Sequence, residues 1–518
     1  MRARRLWSAG VLLLVALANR AGAQMPAPKQ ELRLVVQADL GDVTISRHIF
    51  GHFAEHLGRC IYGGFWIQDK SGNWTYNEAV IEALRRIKVP NLRWPGGCFA
   101  DYYHWRDGIG PRAQRPRMVN VVWGGVTEDN SFGTHEYMEL VRRLGAEPLI
   151  VGNVGSGTVA EMAEWWEYLN HPGGSSLAEL RRKNGHPEPF GVRYWGIGNE
   201  SWGCGGNMSP EYYCDLLKRY ATFLRPMGEV KPFIIAVGPG GEDYRWTEVV
   251  MREAGRHIAA LDFHYYTING TWEKKGSATQ FGEAEWFELM QRALHIDELL
   301  TRYSAIMDHY DPRNRVALMV GEWGTWHEVE PGTNPAFLYQ QNTLRDALVA
   351  ALHLNLFIKH AERVRIANIA QTVNVLQAMV LAQDGKVVTT PTYHVFDMYA
   401  VHQDAVRLPI HLDAGVYRYG EAQIPAVSAA ASKDASGRTH LTLVNLDPRE
   451  GRTIRAEFRG RSFSRAKGRI LTAPAMNAHN TFDAPNAVKP AEFTGMRFEG
   501  QELVIDLPAK SVVALELE

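Results

Sequence analysis

The stretch VRYWGIGNE, residues 192–200, reads as a buried strand through Tyr194, Trp195 and Ile197, and then closes on a glycine, an amide and a carboxylate. An ionised carboxylate taken out of water without partners is costly, so Glu200 needs a reason to stand at the tip of an apolar strand. Seven more stretches have a similar build. They are IFGHFAEHL with its core at 50–57, PNLRWPG at 90–96, EPLIVGNVG at 147–155, FIIAVGPG at 233–240, LDFHYYT at 261–267, VALMVGEWG at 316–324 and RIANIAQTVN at 365–374. Segments of helical spacing separate them, among them 78–88, 134–144, 158–169, 209–224 and 343–363, several opening on Ser or Thr as N-cap residues. Apolar strands alternating with helices indicate a parallel sheet covered on both faces. About eight repeats predict a (β/α)8 barrel over residues 47–392, and no G-x-G-x-x-G follows the first strand to favour an open dinucleotide fold.

The tail has a different period. From about residue 393 short alternating runs such as THLTLVNL, TIRAEF and SVVALELE are separated by Gly, Asp, Asn and Pro, which predicts an antiparallel β-sandwich over 393–518. The segment 24–46, with ELRLVVQAD and GDVTIS, has the same character and is expected to pair into that sandwich. Ahead of it, Arg2, Arg4 and Arg5 precede an apolar run from Val11 to Ala18 and an A-x-A site at Ala21–Ala23. This reads as a signal peptide over 1–23, and hence as a secreted or periplasmic protein with no membrane attachment after cleavage.

Lys+Arg 56 against Asp+Glu 57 gives a net charge of -1, which offers no electrostatic footprint for nucleic acid or an anionic membrane. Trp 15, Tyr 20 and Phe 19 supply a core and leave aromatic rings for a sugar-binding cleft. Four cysteines, Cys60, Cys98, Cys204 and Cys214, allow three complete pairings among which sequence does not choose; a chain of this size needs no disulfide, so free thiols are expected. A homo-oligomer is compatible with the sequence and not legible in it.

Barrel active sites lie at the C-terminal strand ends. Those ends collect Glu55 on the first strand, Arg93 and Cys98 on the second, Asn199 and Glu200 on the fourth, His264 and Tyr266 on the sixth, Glu322 on the seventh, and Gln371 and Asn374 on the eighth. Two carboxylates facing each other across a barrel mouth suit glycoside hydrolysis, one acid protonating the leaving oxygen while the other attacks the anomeric carbon or activates water. The bland alternative makes each glutamate a structural ion-pair partner, for example of Arg93 or His264. His52 and His56 share the spacing of a helical zinc pair but fall on a strand, and His264 with Glu55 and Glu322 makes a poor ligand set, so neither metal nor cofactor is expected. The N-x-S/T triplet at Asn199 would place a glycan on the site and reads as coincidence.

The motifs GHFAEHLGRCIYGG (51–64), LRWPGGCFADYYHWRDGIGP (92–111), YWGIGNESWGCGGNMSPEYY (194–213), GEWGTW (321–326) and NIAQTVNVLQAMV (368–380) resemble glycoside hydrolase family 51, mainly retaining α-L-arabinofuranosidases. The resemblance runs from about residue 45 to 518. It implies a barrel with a jelly-roll sandwich, Glu200 as general acid/base, Glu322 as nucleophile, and Asn199 as the amide that binds the sugar 2-hydroxyl. It further implies that Glu55, Arg93, Tyr266 and Gln371 bind the furanose ring or orient the nucleophile. Many members carry asparagine after PGG where this chain has Cys98, and a thiol is a weak hydrogen-bond partner, so one sugar contact is weakened or rebuilt. The expected reaction is release of terminal arabinose from arabinoxylan or arabinan, with β-xylosidase or endo-β-glucanase activity as the alternative on the same scaffold. A catalytically dead sugar-binding protein is disfavoured by the presence of both carboxylates.

Overall fold

The computed structural model describes residues 31–518. The signal-peptide reading of 1–23, and the first residues of the 24–46 segment, lie outside the described residues. Nine strands carry the architecture needed for the site: β1 (Glu31–Gln37), β2 (Gly51–Phe53), β3 (Asn91–Trp94), β4 (Glu147–Gly152), β5 (Tyr194–Ile197), β6 (Phe233–Gly240), β7 (Ala260–Thr267), β8 (Ala317–Thr325) and β9 (Val364–Ile369). Strands β2 to β9 close into a barrel in which each is parallel to the next and β9 pairs with β2. Every residue of β8 is buried, as a strand with helices on one side and the barrel interior on the other must be.

Three helices begin on the Ser or Thr caps read in the sequence, whereas Thr134 is the first helical residue after Gly133. Thr158 accepts from the Glu161 amide ahead of Val159–Asn170, Ser209 accepts from the Tyr212 amide ahead of Pro210–Phe223, and Thr343 caps Leu344–Lys359. Between strands and helices lies a layer of buried indoles. Trp94 stacks on Tyr137 with ring centroids 4.7 Å apart, and Trp195 meets Trp165 and Trp166 edge-on at 5.3 and 5.7 Å. At about 25 cal/mol per Å2, each fully buried indole contributes on the order of 4 kcal/mol.

Two sheets, of five and six strands, form the C-terminal sandwich. β1 sits inside the five-stranded sheet, antiparallel to Ile410–Leu412 and parallel to Arg452–Arg459. That parallel pair departs from a wholly antiparallel sandwich. Parallel neighbours need a long connection, and here the barrel is part of the connection. The helix Leu344–Lys359 is buried from Leu344 through Ile358, because barrel and sandwich cover it from opposite sides. Its Asn355 donates to Ser428 Oγ at 3.2 Å and accepts from Thr442 Oγ1 at 2.9 Å, tying that helix to the sandwich.

Candidate active site

The register between β7 and β8 shifts at the C-terminal end, from Phe263 opposite Val320 to His264 opposite Glu322. The extra residue is Gly321. A Cβ there would fall 2.2 Å from an Asp262 carboxylate oxygen, so only glycine lets Asp262 lie against the strand and accept the Gly321 amide at 2.6 Å. This irregularity sets His264 beside Glu322, with its Nε2 3.4 Å from Asp262 Oδ2.

Glu322 is enclosed. Arg93 Nη1 donates to its Oε1 at 2.9 Å, Tyr266 donates to its Oε2 at 2.7 Å, and His264 Nδ1 stands 3.7 Å from Oε1. Burial by itself would push this carboxyl up, but the His264 and Arg93 charges with the Tyr266 hydroxyl outweigh it and hold Glu322 below the ordinary carboxylate range. The two glycines of the PGG turn explain how the backbone comes so close. A Cβ at Gly97 would stand 2.6 Å from Glu322 Oε1, and one at Gly96 would stand 2.6 Å from Glu55 Cγ. Arg93 is itself buried, stacked 4.5 Å over the Phe53 ring, and its other nitrogen donates to Asn199 Oδ1 at 2.6 Å.

Glu200 is placed otherwise. β5 ends at Ile197, and Glu200 lies on the following turn with a left-handed backbone, φ 39. For a non-glycine residue that conformation costs about 1–3 kcal/mol, and here it lifts the carboxylate off the strand toward the mouth. Its Oε1 is 2.8 Å from His264 Nδ1, and its side chain keeps 19% exposure. Burial lowers the basicity of His264, but the Glu322 and Asp262 charges with its hydrogen bonds prevail and push it up to about 10, so the ring carries a proton between the two acids. The ion pairs of the bland reading, Arg93 with Glu322 and His264 with Glu200, are therefore both present, and they sit inside an open barrel mouth.

The free-thiol expectation is corrected for two of the four cysteines. Cys98 and Cys204 form a disulfide across 106 residues, while Cys60 and Cys214 are free and buried. The strand-end loops after β3 and β5, on either side of β4, bring the pair together, a closeness invisible in linear spacing. No S–H remains at Cys98 to bind a sugar as a thiol; instead the bridge fastens the loop after β3 to the turn carrying Glu200, with Cys204 Sγ 3.5 Å from Glu200 Oε2. Among the described residues, two sets of donor atoms lie within 4.8 Å of one another, Glu200 with His264 and Glu322, and Cys98 with Glu200 and Cys204. In the second, the two sulfurs are joined in the bridge.

Glu55 and Gln371 also meet at the mouth, each beyond its strand. Glu55 Oε1 accepts from the amides of Gly97 and Phe99 and from Trp123 Nε1, all at 3.0 Å, and Gln371 donates to Oε2 at 3.0 Å. Burial and the nearby Glu322 charge push Glu55 up to about 7. Asn374 does not join them; its side chain is spent on Arg59 and Ala382 backbone groups. Two participants were missed in the sequence. Trp123 reaches Glu55 from a short hairpin that has no barrel period, and Asp101 accepts the amides of Val154, Gly155 and Asn199, positioning Asn199 from below. Asp101 stands inside the FADYY motif, where its surplus of charge among aromatic residues was the available signal.

Two family models match this chain, the α-L-arabinofuranosidase 1 domain over residues 83–285 and the α-L-arabinofuranosidase C-terminal domain over 321–511. A Bacteroides ovatus protein named intracellular exo-α-L-arabinofuranosidase is 48% identical over 98% of this chain and 99% of its own length. The chain belongs to the glycoside hydrolase family 51 α-L-arabinofuranosidases. The α-L-arabinofuranosidase C of Emericella nidulans is 30% identical over 81% of this chain and 85% of its own. The crystal structure of the family 51 arabinofuranosidase from Xanthomonas axonopodis pv. citri superposes with a TM-score of 0.93 at 50% identity, covering 94% of this chain and all of that one. The expectation of a secreted or periplasmic enzyme is corrected by the Bacteroides ovatus relative, which is named intracellular. A basic start, an apolar run and an A-x-A triplet are a short compositional pattern, and nothing in the fold depends on it.

Proposed function

We propose that this family 51 enzyme is an exo-acting, retaining α-L-arabinofuranosidase that removes terminal arabinose from arabinoxylan or arabinan by double displacement. One observation carries the reading: oxygens of Glu200 and Glu322 lie within 4.8 Å of each other at the C-terminal mouth of the barrel. That is nearer to the roughly 5–5.5 Å of retaining enzymes than to the gap of about 6.5–9.5 Å in inverting ones, and supports the retaining reading.

Each residue then has a task. Glu322, kept ionised by Arg93, His264 and Tyr266, attacks the anomeric carbon as the partly exposed Glu200 protonates the departing oxygen. The resulting ester is neutral, and Glu200, its proton given away, takes one from the water that hydrolyses it. Arg93 holds Asn199 and Glu322 with one guanidinium, which fixes the sugar-binding amide relative to the nucleophile. Glu55 and Gln371 furnish a polar edge for ring hydroxyls.

Aryl α-L-arabinofuranoside, aryl β-xyloside and a soluble β-glucan assayed side by side test the substrate. The arabinoside is expected to be turned over fastest; a faster xyloside or glucan would transfer the site to the alternative activity. NMR of the first-formed product should show the anomeric configuration of the substrate, and inversion would end the double-displacement reading.

A further inference from the structure

The Cys98–Cys204 bridge has no part in the double displacement, yet it lies against the residue assigned as acid/base. Both sulfurs and a Glu200 carboxylate oxygen fall within 4.8 Å of one another. Cys204 is exposed, and Cys98 and Glu200 are half-buried, so solvent reaches the group. Cys60 and Cys214 are buried and stand apart from it.

The bridge is not alone in holding these residues together. Gly203 and Gly205 donate their amides to Glu200 O at 2.7 and 3.1 Å, and a Cβ at Gly205 would fall 1.8 Å from Asn199 O. From the other loop Asp101, three residues after Cys98, accepts the Asn199 amide at 3.1 Å. These contacts keep Cys98 and Cys204 facing each other when the bond between them is opened.

Outer-shell partners of the kind that orient metal ligands are also in place. Arg93 donates to Asn199 Oδ1, which turns the Asn199 Nδ2 toward Cys204, 3.8 Å from its Sγ. His264 engages Glu200 Oε1 at 2.8 Å and leaves Oε2 facing the same sulfur at 3.5 Å. On a tetrahedral zinc, a sulfur at about 2.3 Å and an oxygen at about 2.1 Å stand about 3.6 Å apart. Cys204 and Glu200 already have that spacing. A pair of thiolates selects a thiophilic ion such as Zn2+ over Mg2+ or Ca2+.

We propose that the Cys98–Cys204 bridge gates a Zn2+ site: once a dithiol opens it, both sulfurs and Glu200 bind the ion and turnover stops. The inhibition rests on the assignment of Glu200 as acid/base. A thiolate of the dithiol attacks the exposed Cys204 Sγ, the S–S bond breaks with Cys98 leaving as thiolate, and the second thiol resolves the mixed disulfide. Two electrons pass from the dithiol, which closes into its own disulfide, and its two protons end on Cys98 and Cys204. Zn2+ then displaces both thiol protons to solvent and takes Glu200 Oε2 as a ligand, so the carboxylate no longer exchanges protons with substrate. With the bridge closed there is no thiolate to hold the ion.

The test compares the whole enzyme oxidised with the enzyme reduced by dithiothreitol and desalted under nitrogen, with Co2+ as the spectroscopic probe for Zn2+. Reduced enzyme should take up Co2+ with a near-ultraviolet sulfur-to-metal charge-transfer band that Zn2+ displaces, and oxidised enzyme should show no band. Zn2+ should lower kcat of the reduced enzyme on aryl α-L-arabinofuranoside by roughly 10²-fold or more, the weight of a general acid/base, and a chelator should restore it. Oxidised enzyme should keep its kcat at the same Zn2+ concentration. Cys204→Ser should lose the band, and reduced Glu200→Gln should hold Co2+ roughly 10–100-fold more weakly. Absence of the band from reduced wild type, an undiminished band in Cys204→Ser, or unchanged Co2+ affinity in Glu200→Gln overturns the site. Loss of activity on reduction in the presence of chelator overturns the gate and makes the bridge purely structural. A metal-loaded reduced enzyme with full kcat also overturns the gate, and it places the acid/base elsewhere than Glu200. An oxidised wild type inactive on the aryl arabinofuranoside would instead defeat the underlying function, while the Co2+ spectra still decide the site.

Discussion

Two parts of one barrel rim, three strands apart, hold the same side chain in opposite ways. On β8, Glu322 lies within a fully buried strand, gripped by Arg93 and Tyr266, with protonated His264 close by. On the turn after β5, Glu200 stands on a left-handed backbone, partly exposed, with His264 as its short contact. A carboxylate surrounded by donors is held ionised and immobile, as a nucleophile requires; one on an open turn can exchange protons with a leaving group and then with water. Environment, more than residue type, separates the roles proposed for them.

The largest effect that would break this contrast is Glu322→Ala. It should reduce turnover of every glycoside to background, since no ester can form; measurable activity on a nitrophenyl arabinofuranoside would remove Glu322 from its role. Glu200→Ala should cost less and differ in kind. General acid/base loss is worth roughly 10²–10⁴-fold on substrates with poor leaving groups, while a nitrophenyl substrate should still form the ester and stall there. Azide, needing no base, should release that stall as the arabinosyl azide with the configuration of the substrate. Azide rescue of Glu322→Ala with inverted product, and none for Glu200→Ala, would exchange the two assignments.

His264→Gln sharpens the comparison, because one ring touches both acids. Removing the cation disfavours ionised Glu322, so the acid limb of the kcat/KM profile should move to higher pH, by about one unit for each 1.4 kcal/mol of lost interaction. An acid limb that stays in place would mean that Arg93 and Tyr266 alone set the nucleophile.

The smallest effect concerns Glu55. Its folded value of about 7 lies above the ordinary 4.5, so between those values the unfolded chain is ionised while the folded one still holds a proton. Its contribution to stability is therefore complete below 4.5, declines as pH rises and is gone above about 7. In Glu55→Gln, where a turned Gln371 amide can restore the hydrogen bond, the fall in Tm across that window should shrink without vanishing, because Asp101 is also pushed up to about 7 by burial. An undiminished fall would place the titration elsewhere.

The barrel was legible because burial on both faces leaves a mark in every strand. Runs such as VALMVGEWG have no polar alternation to confuse with an exposed sheet, and several helices open on a Ser or Thr cap. The two glutamates were legible for the same reason, as charges where an apolar run ought to stop. Periodicity says that a residue ends a strand, not what the neighbouring strand places against it. The shift at Gly321 that sets His264 beside Glu322, the Cys98–Cys204 bridge and the reach of Trp123 into Glu55 all join positions far apart in the chain. Sequence by itself picked out most of the residues that stand at the mouth of this barrel, but wrongly included Asn374 and missed Trp123 and Asp101. Only the tertiary structure decided which carboxylate is enclosed and which stays partly exposed, because charge and desolvation act across space between strands, and linear order does not encode those distances.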